Sequence, residues 1–392
     1  MTKNELLQLV EKIDREEVIR VVGDLVRIPS INPPGREKEV AKYIKAYMKE
    51  RNIETKIVEA EENRYNVIAR LKGKGKIFPI VFTGHMDVVP ISKEEGKRWS
   101  MDPFSGKIIE GYLYGRGSSD MKGGLGAAMV AMGTLAREGI TPPGDIVLVT
   151  TVDEENLMRG AKAIVASRVL EGAKKVVVCE PTNLELVTAC KGRTWADIIV
   201  KGKTAHTSQQ GAGINAIERA NLLIDRIMKH KISQEKHPIL GNSFWQVVAI
   251  HAGVEPILVP DSCTVTVDAR LAPGQSSKDV WNQMEQMIDS IKRDVANFEA
   301  KIHIIEEREP WETSSKDQIV KTIENSFDIL QLPLKQSGFL GTTDGTVFRK
   351  AGMDAVILGP GNLACVHKEN ERIAVKQFFQ GSKLYLLTML GA

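Results

Sequence analysis

Apolar residues recur at three- and four-residue spacing from the start of the chain: Leu6, Leu7, Val10, Ile13, Val18, Ile19, Val22 and Leu25. That period places them on one face of helical structure. Asn32-Pro33-Pro34-Gly35 ends the pattern, because proline and glycine interrupt a helix. A second amphipathic stretch follows, with Val40, Ala41, Ile44 and Met48 on one face. Beyond it, short apolar runs alternate with longer periodic stretches. Asn66–Leu71, Phe78–Thr83, Asp145–Val152, Lys175–Cys179 and Ala355–Leu358 predict strands, and Met121–Arg137, Ala161–Leu170 and Ala374–Leu387 predict helices. Runs such as Val176-Val177-Val178 do not alternate with polar residues, which indicates strands covered on both faces. The expectation is an α/β domain with a mixed, mostly parallel sheet and helices on both faces.

The middle of the chain follows another order. Strand Thr194–Val200, helix Ile214–His230, strands Trp245–His251 and Cys263–Leu271, helix Val280–Asn297 and strand Lys301–Ile305 make a β-α-β-β-α-β series. That series is the signature of an α+β ferredoxin-like unit. Residues 186–310 are therefore expected to be a domain inserted between two segments, 1–185 and 311–392, of the α/β domain. A length of 392 residues agrees with two or three domains, at about 150 residues each.

Composition narrows the field. Lys and Arg number 53 against 50 Asp and Glu, and no basic segment is free of acids, so a nucleic-acid partner is not expected. No apolar run approaches the roughly 18 residues of a membrane span. Met1-Thr2-Lys3-Asn4-Glu5 leads directly into the helical pattern without a basic-then-apolar leader. Cys179, Cys190, Cys263 and Cys365 form no CxxC pair, which fits reduced thiols and a cytoplasmic protein.

The candidate chemistry lies at strand ends. Gly84-His85-Met86-Asp87 closes one apolar run, with His and Asp two apart, so a carboxylate can support an imidazole. Gly115-Arg116-Gly117-Ser118-Ser119-Asp120-Met121-Lys122-Gly123-Gly124 is glycine-rich but lacks the Gly-Lys-Ser/Thr ending of a phosphate loop, and Asp120 alone could be a helix cap. Asp153-Glu154-Glu155 places three acids together, a cluster that a cation or a proton would stabilise. Glu180 follows another apolar run, and His367 lies beyond Gly359-Pro360-Gly361-Asn362. Open α/β sheets bind ligands beyond the C-terminal ends of their strands, where His85, Glu154, Glu155, Glu180 and His367 all fall. Histidine with carboxylate suits Zn²⁺, or Co²⁺ or Mn²⁺. So many donors exceed the needs of one open catalytic zinc and suit two ions about 3.5–4 Å apart that share a carboxylate.

These motifs, in this order, make the sequence similar to the di-zinc amidohydrolase and exopeptidase family of acetylornithine deacetylase, succinyl-diaminopimelate desuccinylase, aminoacylase and carboxypeptidase G. The resemblance spans nearly the whole chain, and Glu180-Pro181-Thr182 looks most like the deacetylase and desuccinylase branch. It implies that His85, Asp120 and Glu180 hold one metal, that Asp120, Glu155 and His367 hold the other, that Asp87 orients His85, and that Glu154 is the general base. The inserted unit resembles a lid and dimerisation domain. Its Thr204-Ala205-His206-Thr207-Ser208 implies that His206 stabilises the oxyanion in the partner subunit of a homodimer. Asp268-Ala269-Arg270 implies that Arg270 grips a substrate carboxylate, and Gly341-Thr342-Thr343 resembles a loop near the substrate side chain. His230, His237, His251 and His303 match no motif and are expected to be structural or exposed.

One position departs from the pattern: Ile257 stands three residues before Pro260, where the family often has Asn, with Glu255 nearby. The expected activity is hydrolysis of the amide bond of an N-acyl amino acid. A dipeptidase or carboxypeptidase with the same site is the alternative, and a non-catalytic dimeric binding protein is the rival of another class. The expected substrates are small N-acyl amino acids or short peptides, with no nucleic-acid or membrane partner.

Overall fold

The computed structural model describes residues 1–232 and 235–391. The chain divides into two compact units: Met1–Thr188 with Thr313–Ser337 and Thr343–Ala392, and Ala189–Glu312 with Gly338–Thr342.

In the first unit the sheet runs in the order Glu54–Glu61, Arg64–Leu71, Ile146–Thr151, Ile80–His85, Lys175–Val178, Asp354–Ile357 and Leu186–Cys190. The four strands from Ile146–Thr151 to Asp354–Ile357 are parallel, and antiparallel strands flank them. This is the mixed, centrally parallel sheet that the apolar runs predict. Phe82, Leu148, Val177 and Val356 join one core, beneath helices Arg15–Arg27, Gly123–Arg137 and Val375–Met389. Val81, Val147, Val149 and Val176 alternate with them and are equally buried, on the side of helices Arg159–Ala166 and Gly345–Lys350. Strand geometry sends successive side chains to opposite faces, so runs without polar residues mean a sheet covered twice.

The opening periodicity resolves into two helices, Lys3–Val10 and Arg15–Arg27. Side-chain caps explain the division: Thr2 accepts the Glu5 N–H and Asp14 accepts the Glu16 N–H. Strand Glu54–Glu61 gave no apolar signal because it is an edge strand with most side chains in solvent. The long helix begins at Gly123 rather than Met121, because the backbone of Asp120 and Met121 is not helical.

In the second unit, strands Gly192–Lys201, Phe244–Ala252, Ser262–Leu271 and Glu299–Arg308 form an antiparallel sheet. Phe244–Ala252 is at one edge, followed by Ser262–Leu271, Gly192–Lys201 and Glu299–Arg308. With helices Ala216–Lys229 and Ser277–Asp294 this is the β-α-β-β-α-β arrangement. Leu223, Ile227, Met284 and Ile288 pack on Ile198, Val265 and Val267, whereas Ile199, Val248, Ile250 and Ile304 remain exposed. Among the described residues, no helix is long and apolar enough to cross a membrane.

Candidate metal centre

Parallel register brings the strand ends together. His85 is paired with Thr151, Thr83 with Val178, and Val178 with Ile357. The turns after these strands therefore start at one edge of the sheet, where open α/β folds bind ligands.

Two glycines bring the Asp120 turn into this edge. Gly117 has φ of +83°, and a Cβ there would lie 2.5 Å from Val88 Cγ1. A Cβ on Gly124 would lie 2.0 Å from the Cys179 carbonyl oxygen, next to Glu180. Close backbone approach thus accounts for the glycine-rich segment.

The carboxylate of Asp120 stands between two imidazoles. Its Oδ1 is 3.0 Å from His85 Nε2 and its Oδ2 is 3.2 Å from His367 Nε2. Glu180 Oε1 lies 3.6 Å from His85 Nε2, and Glu155 Oε1 lies 3.1 Å from His367 Nε2. Donor atoms of His85, Asp120 and Glu155 all fall within 4.8 Å of one another, as do those of His85, Glu154 and Glu180.

The hydrogen bonding of His85 tests whether a cation fits. Its Nδ1–H donates to the Asp87 carbonyl at 2.9 Å, which in the neutral tautomer turns the Nε2 lone pair toward Asp120 and Glu180. A lone pair facing two carboxylates is repulsive unless a positive charge lies between them. Burial favours the neutral form of His85, yet the carboxylates of Asp120, Glu180 and Asp87 raise its pKa well above the usual value. The Asp120 and Glu155 carboxylates raise His367 to about 10. Burial, followed by the charge of Asp120, raises the carboxyls of Glu155 and Glu180. Burial would raise Asp120 too, but His367 and His85 hold it well below the usual carboxylate range. This nitrogen and oxygen donor set fits a divalent cation.

Asp87 is placed differently from a simple imidazole support. Its Oδ1 is 3.7 Å from His85 Nδ1, and its own carbonyl takes the imidazole hydrogen. Its carboxylate accepts the backbone N–H groups of Glu154 and Glu155, each at 3.2 Å, and the Asn32 amide at 2.8 Å. Asn32 also donates to Asp153 at 3.0 Å. Asp153 has φ of +65° and is fully buried; Arg64 donates to it and also pairs with buried Glu37. Asn32, Glu37 and Arg64 gave no sequence signal as site residues. Asn32 reads as part of a helix-breaking turn, and Glu37 and Arg64 belong to no motif. Arg116 lies inside the glycine-rich motif and Glu371 four residues beyond His367, neither with an expected role, yet both are buried beside the Asp120 turn.

His206 and Arg270 belong to the second unit. Nδ1 of exposed His206 accepts the Ser208 N–H at 3.2 Å and lies 2.7 Å from the Ser208 hydroxyl. Thr207 N–H donates to the Ile257 carbonyl, so the departing position adjoins the His206 strand pairing. Arg270 donates to Asp268 at 3.0 Å. Gly341 O accepts the Cys190 thiol and Thr342 Oγ1 accepts Arg308, while Thr343, in the first unit, accepts the Gly345 N–H. His230 packs against Trp245 and His237 is buried.

A sheet edge lined with imidazoles and carboxylates around a shared Asp could hold metal ions, as a metal-dependent hydrolase of amide bonds requires. The chain belongs to peptidase family M20/M25/M40, whose profile matches residues 81–391. A probable succinyl-diaminopimelate desuccinylase of Staphylococcus epidermidis is 25% identical over 402 residues, covering 95% of this chain and 97% of that protein. The fold is similar to that of aminopeptidase PepT from Bacillus cereus, with a TM-score of 0.81, 21% identity, and 97% and 99% of the two chains covered. It is also similar to the YXEP protein of Bacillus subtilis, a dinuclear metal binding peptidase, with a TM-score of 0.76, 15% identity, and 96% and 97% coverage.

Proposed function

We propose that the chain hydrolyses the amide bond of an N-acyl amino acid with the help of two divalent cations, zinc foremost, with cobalt or manganese able to replace it. The observation that carries this reading is the Asp120 carboxylate, with one oxygen 3.0 Å from His85 and the other 3.2 Å from His367. In this reading His85, Asp120 and Glu180 hold one ion, and Asp120, Glu155 and His367 the other. The family relationship and the dinuclear site named for the Bacillus subtilis protein support it.

Bound cations would supply a water that is nucleophilic near neutral pH and polarise the scissile carbonyl. Glu154 takes the proton of the attacking water and returns it to the departing amine. Asp87, by holding the Glu154 and Glu155 N–H groups, fixes base and ligand in one turn. His206 donates to the oxyanion. The Ser208 N–H engages Nδ1, which leaves the hydrogen on Nε2, the tautomer suited to that task. In a homodimer His206 would serve the other subunit, and the exposed Val248, Ile250 and Ile304 of the second unit support such an assembly. Arg270 holds the free carboxylate of the substrate by its planar fork of donors.

A second reading, a peptidase acting on short peptides with the same residues, is favoured by the fold shared with an aminopeptidase and by Ile257 in place of a polar contact. One experiment tests both. The metal-loaded protein is assayed on N-acetyl and N-succinyl amino acids, ornithine and diaminopimelate derivatives first, beside a set of dipeptides and tripeptides. Turnover confined to peptides would replace the first reading with the second. Turnover of neither would overturn both.

A further inference from the structure

Two segments far apart in sequence each carry a proposed ligand: Asp120 in one and His367 in the other. A buried ion pair joins them. Glu371 is fully buried and four residues beyond His367. Its Oε1 accepts the backbone N–H groups of Ser119 and Asp120 at 3.0 and 3.2 Å. Its Oε2 accepts Arg116 Nη1 at 2.9 Å, and that same nitrogen reaches the Lys368 carbonyl at 3.2 Å. Arg116, 1% exposed, also pairs with Glu95. The Gly115 N–H donates to the Glu371 carbonyl, and Ser119 Oγ donates to the Arg372 carbonyl.

We propose that Glu371, held by Arg116, is a positioning residue that fixes the Asp120 main chain against the His367 loop and thereby sets the cation site formed by Asp120, Glu155 and His367. The inference rests on the two-cation reading above. Three donors converge on the two oxygens of Glu371, so a carboxylate is required. A glutamine would present its NH₂ either to the backbone N–H groups or to the guanidinium, donor against donor. Two of the three ligands of the second ion lie on the segments that Glu371 joins, against one of three for the first ion. The second ion should therefore suffer more. Outer partners that orient metal ligands are worth about 10–100-fold in metal affinity.

The test is a Co²⁺ titration of metal-stripped wild-type protein and Glu371→Gln, followed by visible absorption, beside thermal unfolding and steady-state rates. The expected result is a first Co²⁺ bound as in wild type and a second bound about 10–100-fold more weakly. The rate at limiting metal should fall and recover with excess Co²⁺, with KM unchanged. Two Co²⁺ bound with wild-type affinity would overturn the proposal, even if the unfolding temperature fell. If Glu371→Gln does not fold, Arg116→Lys is the second variant, because an ammonium cannot span Glu371, Glu95 and the Lys368 carbonyl together. It should weaken the second Co²⁺ in the same sense, and unchanged binding there would overturn the proposal. A wild-type chain that takes up a single Co²⁺ would overturn the two-cation reading instead; a weakening of that one ion by Glu371→Gln would still support the positioning role.

Discussion

Oδ2 of Asp120 lies 3.2 Å from Nε2 of His367, a residue that enters the site from the far end of the chain. The other oxygen of the same carboxylate serves His85. One side chain thus holds both imidazoles at hydrogen-bond distance, an arrangement in which a cation on either side would share Asp120. Chelation is expected to abolish turnover, and Zn²⁺, Co²⁺ or Mn²⁺ to restore it. Metal analysis of the same samples checks the result, and full activity in a preparation stripped to trace metal would contradict it.

Glu154→Gln keeps the size of the side chain and removes the proposed base. The rate should drop by about two to four orders of magnitude. Metal content should stay that of the wild type. A variant with near-normal turnover would remove Glu154 from the mechanism.

Asp87 supports the Glu154-Glu155 turn through its carboxylate and His85 through its carbonyl. Asp87→Asn leaves the carbonyl and weakens the carboxylate's grip on two N–H groups. The expected loss is about 10–100-fold in activity or metal affinity. Asn32→Asp should be worse for stability than Asn32→Ala, because it sets a negative charge against both Asp87 and Asp153. Equal unfolding temperatures for the two Asn32 variants would argue against this placement.

Arg64 is buried among Glu37 and Asp153, at 3.0 Å from the latter. Arg64→Met leaves buried Glu37 without its cation, while Asp153 keeps Asn32 and Arg159, and breaking such a buried pair costs about 3–5 kcal/mol. Denaturant unfolding should show a loss of that order, and Glu37→Gln in the same background should recover part of it. A loss near zero would mean that solvent reaches these groups.

Glu17 supplies a pH test away from the site. Burial works to raise its carboxyl, but Tyr47, Arg51 and Arg137 outweigh it and lower the pKa below the usual 4.5. A lowered native pKa stabilises the fold above the unfolded value, and that contribution fades as pH falls through the native value. The gap in unfolding temperature between wild type and Glu17→Gln should therefore be constant at neutral pH and close as the pH falls below the usual 4.5 and through the lowered native value. A gap that persists at low pH would mean that shape, rather than charge, sets the contribution.

The sequence alone determined most of the order of elements, the β-α-β-β-α-β series, the covered sheet and the motif residues at the strand ends. Those features are local: hydrophobic period, glycine and proline breaks, and acids or histidines at fixed short offsets carry them. The tertiary structure decided which of these residues meet. Parallel register sets His85 beside Thr151, and the close approaches at Gly117 and Gly124 carry Asp120 between two imidazoles. It also decided what holds them. Asn32, Arg64, Arg116 and Glu371 act through long-range hydrogen bonds to backbone or buried charge. Such bonds leave no periodicity in the chain, because water would satisfy the same groups until folding removes it.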